Sequence, residues 1–479
     1  MRSLFSRGTR LALVLLALLA ASAAVLAAQQ RFYLHDKDTV LFYGDSITEQ
    51  RLYTTFVETF VVTRYPQLNV RFVNSAWGGE NAPGGNGGSA DVRLTRDVLP
   101  YKPTVMTVML GMNDGGYIAF DEERFKRYTA GMEHILQVVK DAFPNLRVTL
   151  LEPSPYDDVT VEPQFPGGYN GVLVRYGQYV GELGRKNQML VADLNAPVVE
   201  MLKKANALDP AGAKALIPGR IHPSSGGHLV MAEALLKAWG ASPLVSAVEI
   251  DAASKQVAKA ENTTVTGLAV GQTISWSQKD ASLPMLVSLR DRSLPIGPRR
   301  GAATMDLALK ASDFMEALNQ ETLCVRGLEA PRYTLNINGS AVGSFSREQL
   351  AEGLNLAGLP TPMAKQSLGV HLLTLKRGDV HEMRWKQLQV ALRDDNLGPL
   401  RRPGRSGCHG RGIGRSAEGG RAAGCLLVRV NSRVIVGADL ISAASLWEPF
   451  PRCRAPAHRA ASPFGAQKAP KYDKKYLKY

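Results

Sequence analysis

The chain has 479 residues, 45% of them hydrophobic, which is long enough to bury one sizeable core and by length two. Its net charge of +14 is concentrated: from Arg401 to the end there are 16 Lys or Arg against 4 Asp or Glu, leaving the first 400 residues at +2. A nearly neutral body argues against a nucleic-acid surface there, and no nucleic-acid partner is expected. Of the four cysteines, Cys408, Cys425 and Cys453 lie in the basic tail and Cys324 in the body, with no paired spacing, which excludes a disulfide framework or cysteine-bound metal in the body.

The amino terminus carries Arg2, Arg7 and Arg10 and then an apolar run from Leu11 to Ala28, the order of a secretory signal with cleavage after Ala27 or Ala28. The expected location is secreted or periplasmic. The run is also near the length that spans a bilayer, so an uncleaved anchor is the alternative and the one source of membrane contact.

Thr39 to Tyr43 reads as a fully buried strand that stops at Gly44-Asp45-Ser46. In a parallel sheet this puts Ser46 beyond a strand's carboxyl end, just before a helix, as a candidate nucleophile that needs a base and an oxyanion site. Leu52, Phe56, Val57, Phe60 and Val61 have helical spacing up to Pro66. A second strand, Val70 to Asn74, opens into Ala76-Trp77-Gly78-Gly79-Glu80 and a stretch holding Gly84, Gly85, Gly87 and Gly88. That stretch reads either as a flexible surface loop or as a close backbone approach to a ligand; no Gly-Lys-Ser/Thr closes it as a phosphate cradle.

A short helix follows over Asp91 to Leu99, then a third buried strand from Thr104 to Leu110 that ends in Gly111-Met112-Asn113-Asp114. Alone, that ending is a turn former. A long amphipathic helix from Asp121 to Phe143, strands at Arg147 to Leu151 and Met189 to Asp193, and helices near Gly171 to Asn187 and Pro197 to Ala205 complete an alternation that means a parallel sheet covered on both faces. The loop from Ile217 to His228 precedes a helix from Leu229 to Trp239 and supplies His222 as candidate base.

Four blocks in this order, Gly44-Asp45-Ser46, Asn74 with Gly79, Gly111-Met112-Asn113-Asp114 and His222-Pro223 with a following Gly and His, resemble the SGNH hydrolase family, the esterases also called GDSL hydrolases, over roughly Val40 to Gly240. The resemblance implies a three-layer α/β/α flavodoxin-like fold, Ser46 as nucleophile and His222 as base. It also implies an oxyanion hole from the N–H groups of Ser46 and Gly79 and the amide of Asn113, with no cofactor and no metal. The Gly-x-Ser-x-Gly elbow of other lipases is absent, because Thr48 stands at its second glycine.

The family places an aspartate three residues before the histidine, and here that residue is Gly219. Three accounts stay open: a backbone carbonyl near Pro218 or Gly219 orients His222; the protein binds acylated ligands without turnover; or a single-base codon change has replaced the aspartate. The resemblance therefore implies an exported esterase for short acyl groups, O-acetyl groups on a polysaccharide among them, using a Ser-His pair. A catalytically silent carbohydrate-binding protein of the same fold is the alternative. The partner in either case is a small acyl ester or acylated carbohydrate.

The expected organisation is a signal or anchor over residues 1–28, the hydrolase over 30–241, a mixed α+β accessory domain over 242–399 and a basic, disordered tail over 400–479 with a strand-like island at Leu426 to Ile435. In the accessory part, Ile250 to Ala260 reads as a helix or linker, and Gln272 to Trp276 and Met285 to Leu289 as short strands. Tyr333 to Ile337 and Ala341 to Phe345 read as a hairpin turning at Asn338-Gly339, followed by a helix capped by Ser346. Met363 to Leu375 reads as passing from helix to strand, and Trp385 to Leu392 as a last amphipathic segment. Trp276 and Trp385 are core residues or sugar platforms, and His371 and His381 show no metal-ligand pattern.

Overall fold

Runs of Val, Met, Leu and Phe with no polar alternation demand burial on both faces, and each becomes a strand of one parallel sheet. The computed structural model describes residues 32–285 and 299–392; the signal-like segment, most of Met285 to Leu289 and everything beyond Leu392 lie outside them. The sheet comprises β1 (Thr39–Gly44), β2 (Arg71–Asn74), β3 (Val105–Met109), β4 (Arg147–Leu151) and β5 (Leu190–Ala192), in the order β2-β1-β3-β4-β5. The order reverses beside β1, so a crevice opens at the carboxyl ends of β1 and β3. Phe42 lies opposite Asn74 and Gly44 opposite Met109, so the chains leaving β1, β2 and β3 emerge at one level.

Helices cover both faces. α1 (Ser46–Glu49) and α2 (Leu52–Arg64) follow β1, α3 (Ala90–Asp97) follows β2, and α4 (Glu122–Ala142), α5 (Gly168–Asn187), α6 (Ala196–Leu208) and α7 (Ser225–Ala238) complete the set. α2 and α6 pack on α7, while α3 meets α4 and the aromatic faces of α4 and α5 interlock through Phe125, Tyr128 and Tyr176. α4 starts where the Asp121 carboxylate accepts the N–H of Arg124 at 2.8 Å, with Glu122 and Glu123 beside the positive end of the helix dipole.

Beyond α7 the chain enters a second sheet. β6 (Leu244–Asp251) pairs antiparallel with β7 (Gln256–Glu261) and parallel with β10 (Gln320–Arg326); between them lie the hairpin of β8 (Thr263–Val270) and β9 (Ile274–Asp280) and the helices α8 (Arg299–Ala311) and α9 (Phe314–Leu318). Met305, Ala308, Phe314 and Leu318 from these two helices join the main core, whereas Val248, Ile250, Leu323, Val325, Leu350 and Leu356 form a smaller one.

Three local expectations change. Ile250 to Ala260 is two strands joined by a turn: the Asp251 carboxylate accepts the N–H of Ala253 at 3.0 Å, and pairing of Ile250 with Val257 overrides the helical preference of the alanines. Met363 to Leu375 does not turn into a strand. It lies within one helix, α11 (Pro362–Glu382), numbered after α10 (Arg347–Glu352), and the helix continues as a π-helical stretch over Met383–Val390. Thr361 as N-cap and Pro362 at the first turn start it, and burial of Leu368 and His371 sustains it. The glycines after Pro83 form a tight antiparallel hairpin, Gly84 with Ser89 and Gly85 with Gly88. The 333–345 hairpin turns at Asn338 and Gly339, both with positive φ, and Ser346 with Gln349 makes a capping box.

Candidate active site

Asp45, buried at the end of β1, caps α1 by accepting the N–H of Ile47 at 3.0 Å, and this sets Ser46 as the first helical residue, half-exposed at the sheet's carboxyl edge. The Ser46 hydroxyl lies 2.8 Å from Nε2 of His222. These two residues are 176 apart in sequence and meet because the loop before α7 folds back over the sheet edge.

Arg220 anchors that loop. Its Nε donates to the carbonyl of Asp157 at 3.0 Å, its guanidinium pairs with the Asp158 carboxylate and lies 4.7 Å from the Tyr156 ring, and its own carbonyl accepts the N–H of Asp157. When Nε2 of His222 accepts the serine proton, Nδ1 carries the ring hydrogen, and among the described residues no protein acceptor hydrogen-bonds to it. Burial alone pushes the imidazole below the ordinary histidine pKa; no neighbouring carboxylate opposes that shift. Gly219 has φ +68, and a Cβ there would meet nothing within 4 Å.

Gly79 and Asn113 sit in loops that are stitched together. The Asn113 amide donates to the carbonyl of Glu80 at 2.9 Å, and the N–H of Ala82 donates to the Asp114 carboxylate at 2.8 Å. Gly79 has φ +71, a backbone angle that favours glycine; a Cβ there would meet only the Asn86 side chain, which is exposed. Tyr117, unremarked in the sequence, donates its hydroxyl to the Asn113 carbonyl oxygen at 2.8 Å and thereby orients the amide. It holds φ +60, a conformation a tyrosine rarely adopts, and packs against Tyr169 and Tyr156. Its spacing of four from Asn113 was the available signal, but nothing in sequence said that the turn would close on itself.

Behind the loop lies a buried charge network. Arg93 is fully buried, donating to Asp97 at 2.7 Å, to the Glu80 carboxylate and to the Ser75 carbonyl, and its guanidinium lies 5.0 Å from the Tyr43 ring. Pairing of every charge is what lets such a cluster be buried. Asp45 and Asp114 are each pushed up to about 7, chiefly by burial, and Asp114 adds to the effect on Asp45. One oxygen of Asp114 has no partner, as a protonated acid tolerates better than a carboxylate does.

Among the described residues no cluster of His, Cys, Asp and Glu could hold a metal, and no helix is long and apolar enough to cross a membrane. The arrangement provides a hydroxyl paired with an imidazole beside two stitched loops carrying N–H donors.

Residues 42–230 match the model of the GDSL-like lipase/acylhydrolase family. The acetylxylan esterase of Geobacillus stearothermophilus is 26% identical over 226 residues, covering 42% of this chain and 94% of that protein. Among solved structures, a gut microbial diltiazem-metabolizing enzyme is 30% identical with a TM-score of 0.63, covering 74% of this chain and 80% of that one. A catalytic mutant of an acetylxylan esterase from Geobacillus stearothermophilus is 25% identical with a TM-score of 0.36, covering 43% of this chain and 96% of that one.

Proposed function

The chain belongs to the GDSL-like lipase/acylhydrolase family and is an esterase by that kinship, and from this premise we propose that it is an exported enzyme removing short acyl groups, O-acetyl groups on carbohydrate first among them, through Ser46 and His222. The observation that carries the proposal is the 2.8 Å contact between the Ser46 hydroxyl and His222 Nε2. Ser46 Oγ attacks the ester carbonyl while its proton passes to His222. The negative oxygen is held by the N–H groups of Ser46 and Gly79 and the Asn113 amide. His222 then protonates the departing alcohol, and water, deprotonated by the same histidine, releases the acyl group from Ser46.

The neutral imidazole favoured by burial is the form this cycle starts from. The imidazolium formed midway has no carboxylate to stabilise it. By analogy with the serine-protease aspartate that absence lowers the rate by up to about 10⁴, or ~5.5 kcal/mol. Acetylated carbohydrate as substrate rests on the acetylxylan esterase relative. The unpartnered Nδ1 of His222 favours a second reading, a carbohydrate-binding protein of this fold without turnover.

Labelling by a serine-reactive fluorophosphonate, with hydrolysis of p-nitrophenyl acetate, on the parent and on Ser46→Ala separates the two. Labelling and turnover in the parent that disappear in Ser46→Ala support the esterase. Neither signal in a folded parent refutes turnover and leaves the binding protein.

A further inference from the structure

The helix α11 and its continuation run back across the molecule from the second sheet and attach to the edge of the first. His371 hydrogen-bonds Thr59 at 3.0 Å and stacks on Phe56; Arg377 donates to the carbonyl of Phe72 at 3.1 Å and pairs with Glu58; Arg51 donates to the carbonyl of Gly378 at 3.1 Å. His381 donates to the carbonyl of Asn74, the last residue of β2, at 3.0 Å. The bonds to the Phe72 and Asn74 carbonyls cover the edge strand β2, and the others fasten the arm to α2, a sufficient structural purpose.

The last turns do something the edge does not need. Trp385, buried, donates its indole N–H to Asp97 at 2.9 Å and meets Trp77 edge to face at 5.9 Å. Lys386 pairs with the Glu49 carboxylate and places its ammonium 4.2 Å from the Trp77 ring centre. Glu49 ends α1, three residues after Ser46, and its Oε2 lies 2.7 Å from where a Cβ on Gly78 would be. Two consecutive residues of the arm therefore grip both neighbours of the Gly78 and Gly79 peptide: Trp77 ahead of it in sequence, and Glu49 against its face.

We propose that Trp385 and Lys386 are positioning residues that clamp the 75–80 loop, so that the second sheet's arm fixes where the Gly79 N–H points. The catalytic consequence rests on the esterase reading above; the mechanical claim does not. The N–H groups of Ser75 and Trp77 donate to the carbonyls of Phe42 and Gly44 at 2.9 and 3.0 Å, and Arg93 and Arg96 also face the Trp77 ring, so these contacts hold the start of the loop. Removing the grip of Trp385 and Lys386 loosens the Gly78 and Gly79 peptide beyond it, and a displacement near 1 Å of a donor costs up to about 10²-fold in rate.

The test uses the full chain with Lys386→Met and Trp385→Phe, and with Leu373→Ala, at an exposed position of the same helix, as control. Amide hydrogen exchange is followed in peptides spanning residues 74–81 and 104–112, beside kcat and KM for p-nitrophenyl acetate. We expect exchange in 74–81 to quicken by about tenfold in both variants with 104–112 unchanged, as a local opening does. We also expect kcat to fall about tenfold or more at nearly constant KM, with Lys386→Arg restoring much of it. Unchanged exchange in 74–81, or equal quickening in both peptides, overturns the clamp. If the parent hydrolyses no ester, the esterase reading fails while the exchange result still decides the clamp.

Discussion

Replacing Gly219 by Asp supplies a carboxylate where the resemblance to the family's last block calls for one, and the structure sets the size of the effect. The backbone there is left-handed, φ +68 and ψ 14, which Asp adopts more readily than most residues, and nothing lies within 4 Å of the new Cβ. The stability loss should then be about 1 kcal/mol, a fall in Tm of ~2–4 °C. If the carboxylate reaches Nδ1 of half-exposed His222, the attraction lies between ~1 kcal/mol in water and ~4 kcal/mol at an effective dielectric of 20, equivalent to about 10- to 100-fold in kcat/KM once partial exposure is allowed for. The pH profile gives an independent check. In the parent, burial lowers the His222 pKa, so the acid limb of kcat/KM lies below pH 6.5. A carboxylate favours imidazolium, so in Gly219→Asp the limb moves to higher pH. Hydrolysis of p-nitrophenyl acetate from pH 4.5 to 9 measures both. Neither a gain in rate nor a shift in the limb, in a folded variant, would refute the argument that position 219 holds the missing group.

Tyr117→Phe removes the hydroxyl that orients Asn113 and should lower kcat by about tenfold at unchanged KM, read by steady-state kinetics; an equal rise in KM would instead mean a substrate contact. Arg93→Met leaves the Glu80 and Asp97 carboxylates buried without their shared partner and should cost about 3–5 kcal/mol, measured by urea unfolding. Asp45 and Asp114 have folded pKa values near 7 against an ordinary 3.8, so the fold favours their neutral acids. The stability they contribute is complete below the unfolded value and is lost as pH rises through about 7. Urea midpoints should therefore fall between about pH 4 and 7 and level off above, and Asp114→Asn should flatten that fall.

The parallel sheet was legible because its strands are buried on both faces and read as continuous apolar runs, while each block of the site stands where such a run ends. Ser46 and His222 came into view as polar residues at a strand end and before a helix, whereas Gly79 and Asn113 were singled out only by the resemblance to the family's blocks. The second sheet was harder. Ile250 to Ala260 carries alanines that suit a helix, and its strand state comes from the β6–β7 pairing on a sheet whose other member, β10, starts some sixty residues downstream. Trp385 and Lys386 sit in a segment whose amphipathic pattern says only that one face is covered, not by what.

The order of elements, the residues at the sheet's carboxyl edge and the absence of aspartate at 219 are properties of the sequence by itself, since they follow from local periodicity and residue identity. Tertiary structure alone decided which side chains meet: the 2.8 Å approach of His222 to Ser46, the hydroxyl of Tyr117 on Asn113, the buried Arg93 network and the grip of the C-terminal arm on Trp77. All but the Tyr117–Asn113 bond, which spans four residues, join segments far apart in the chain, and these form because packing the apolar faces of the helices brings those segments together.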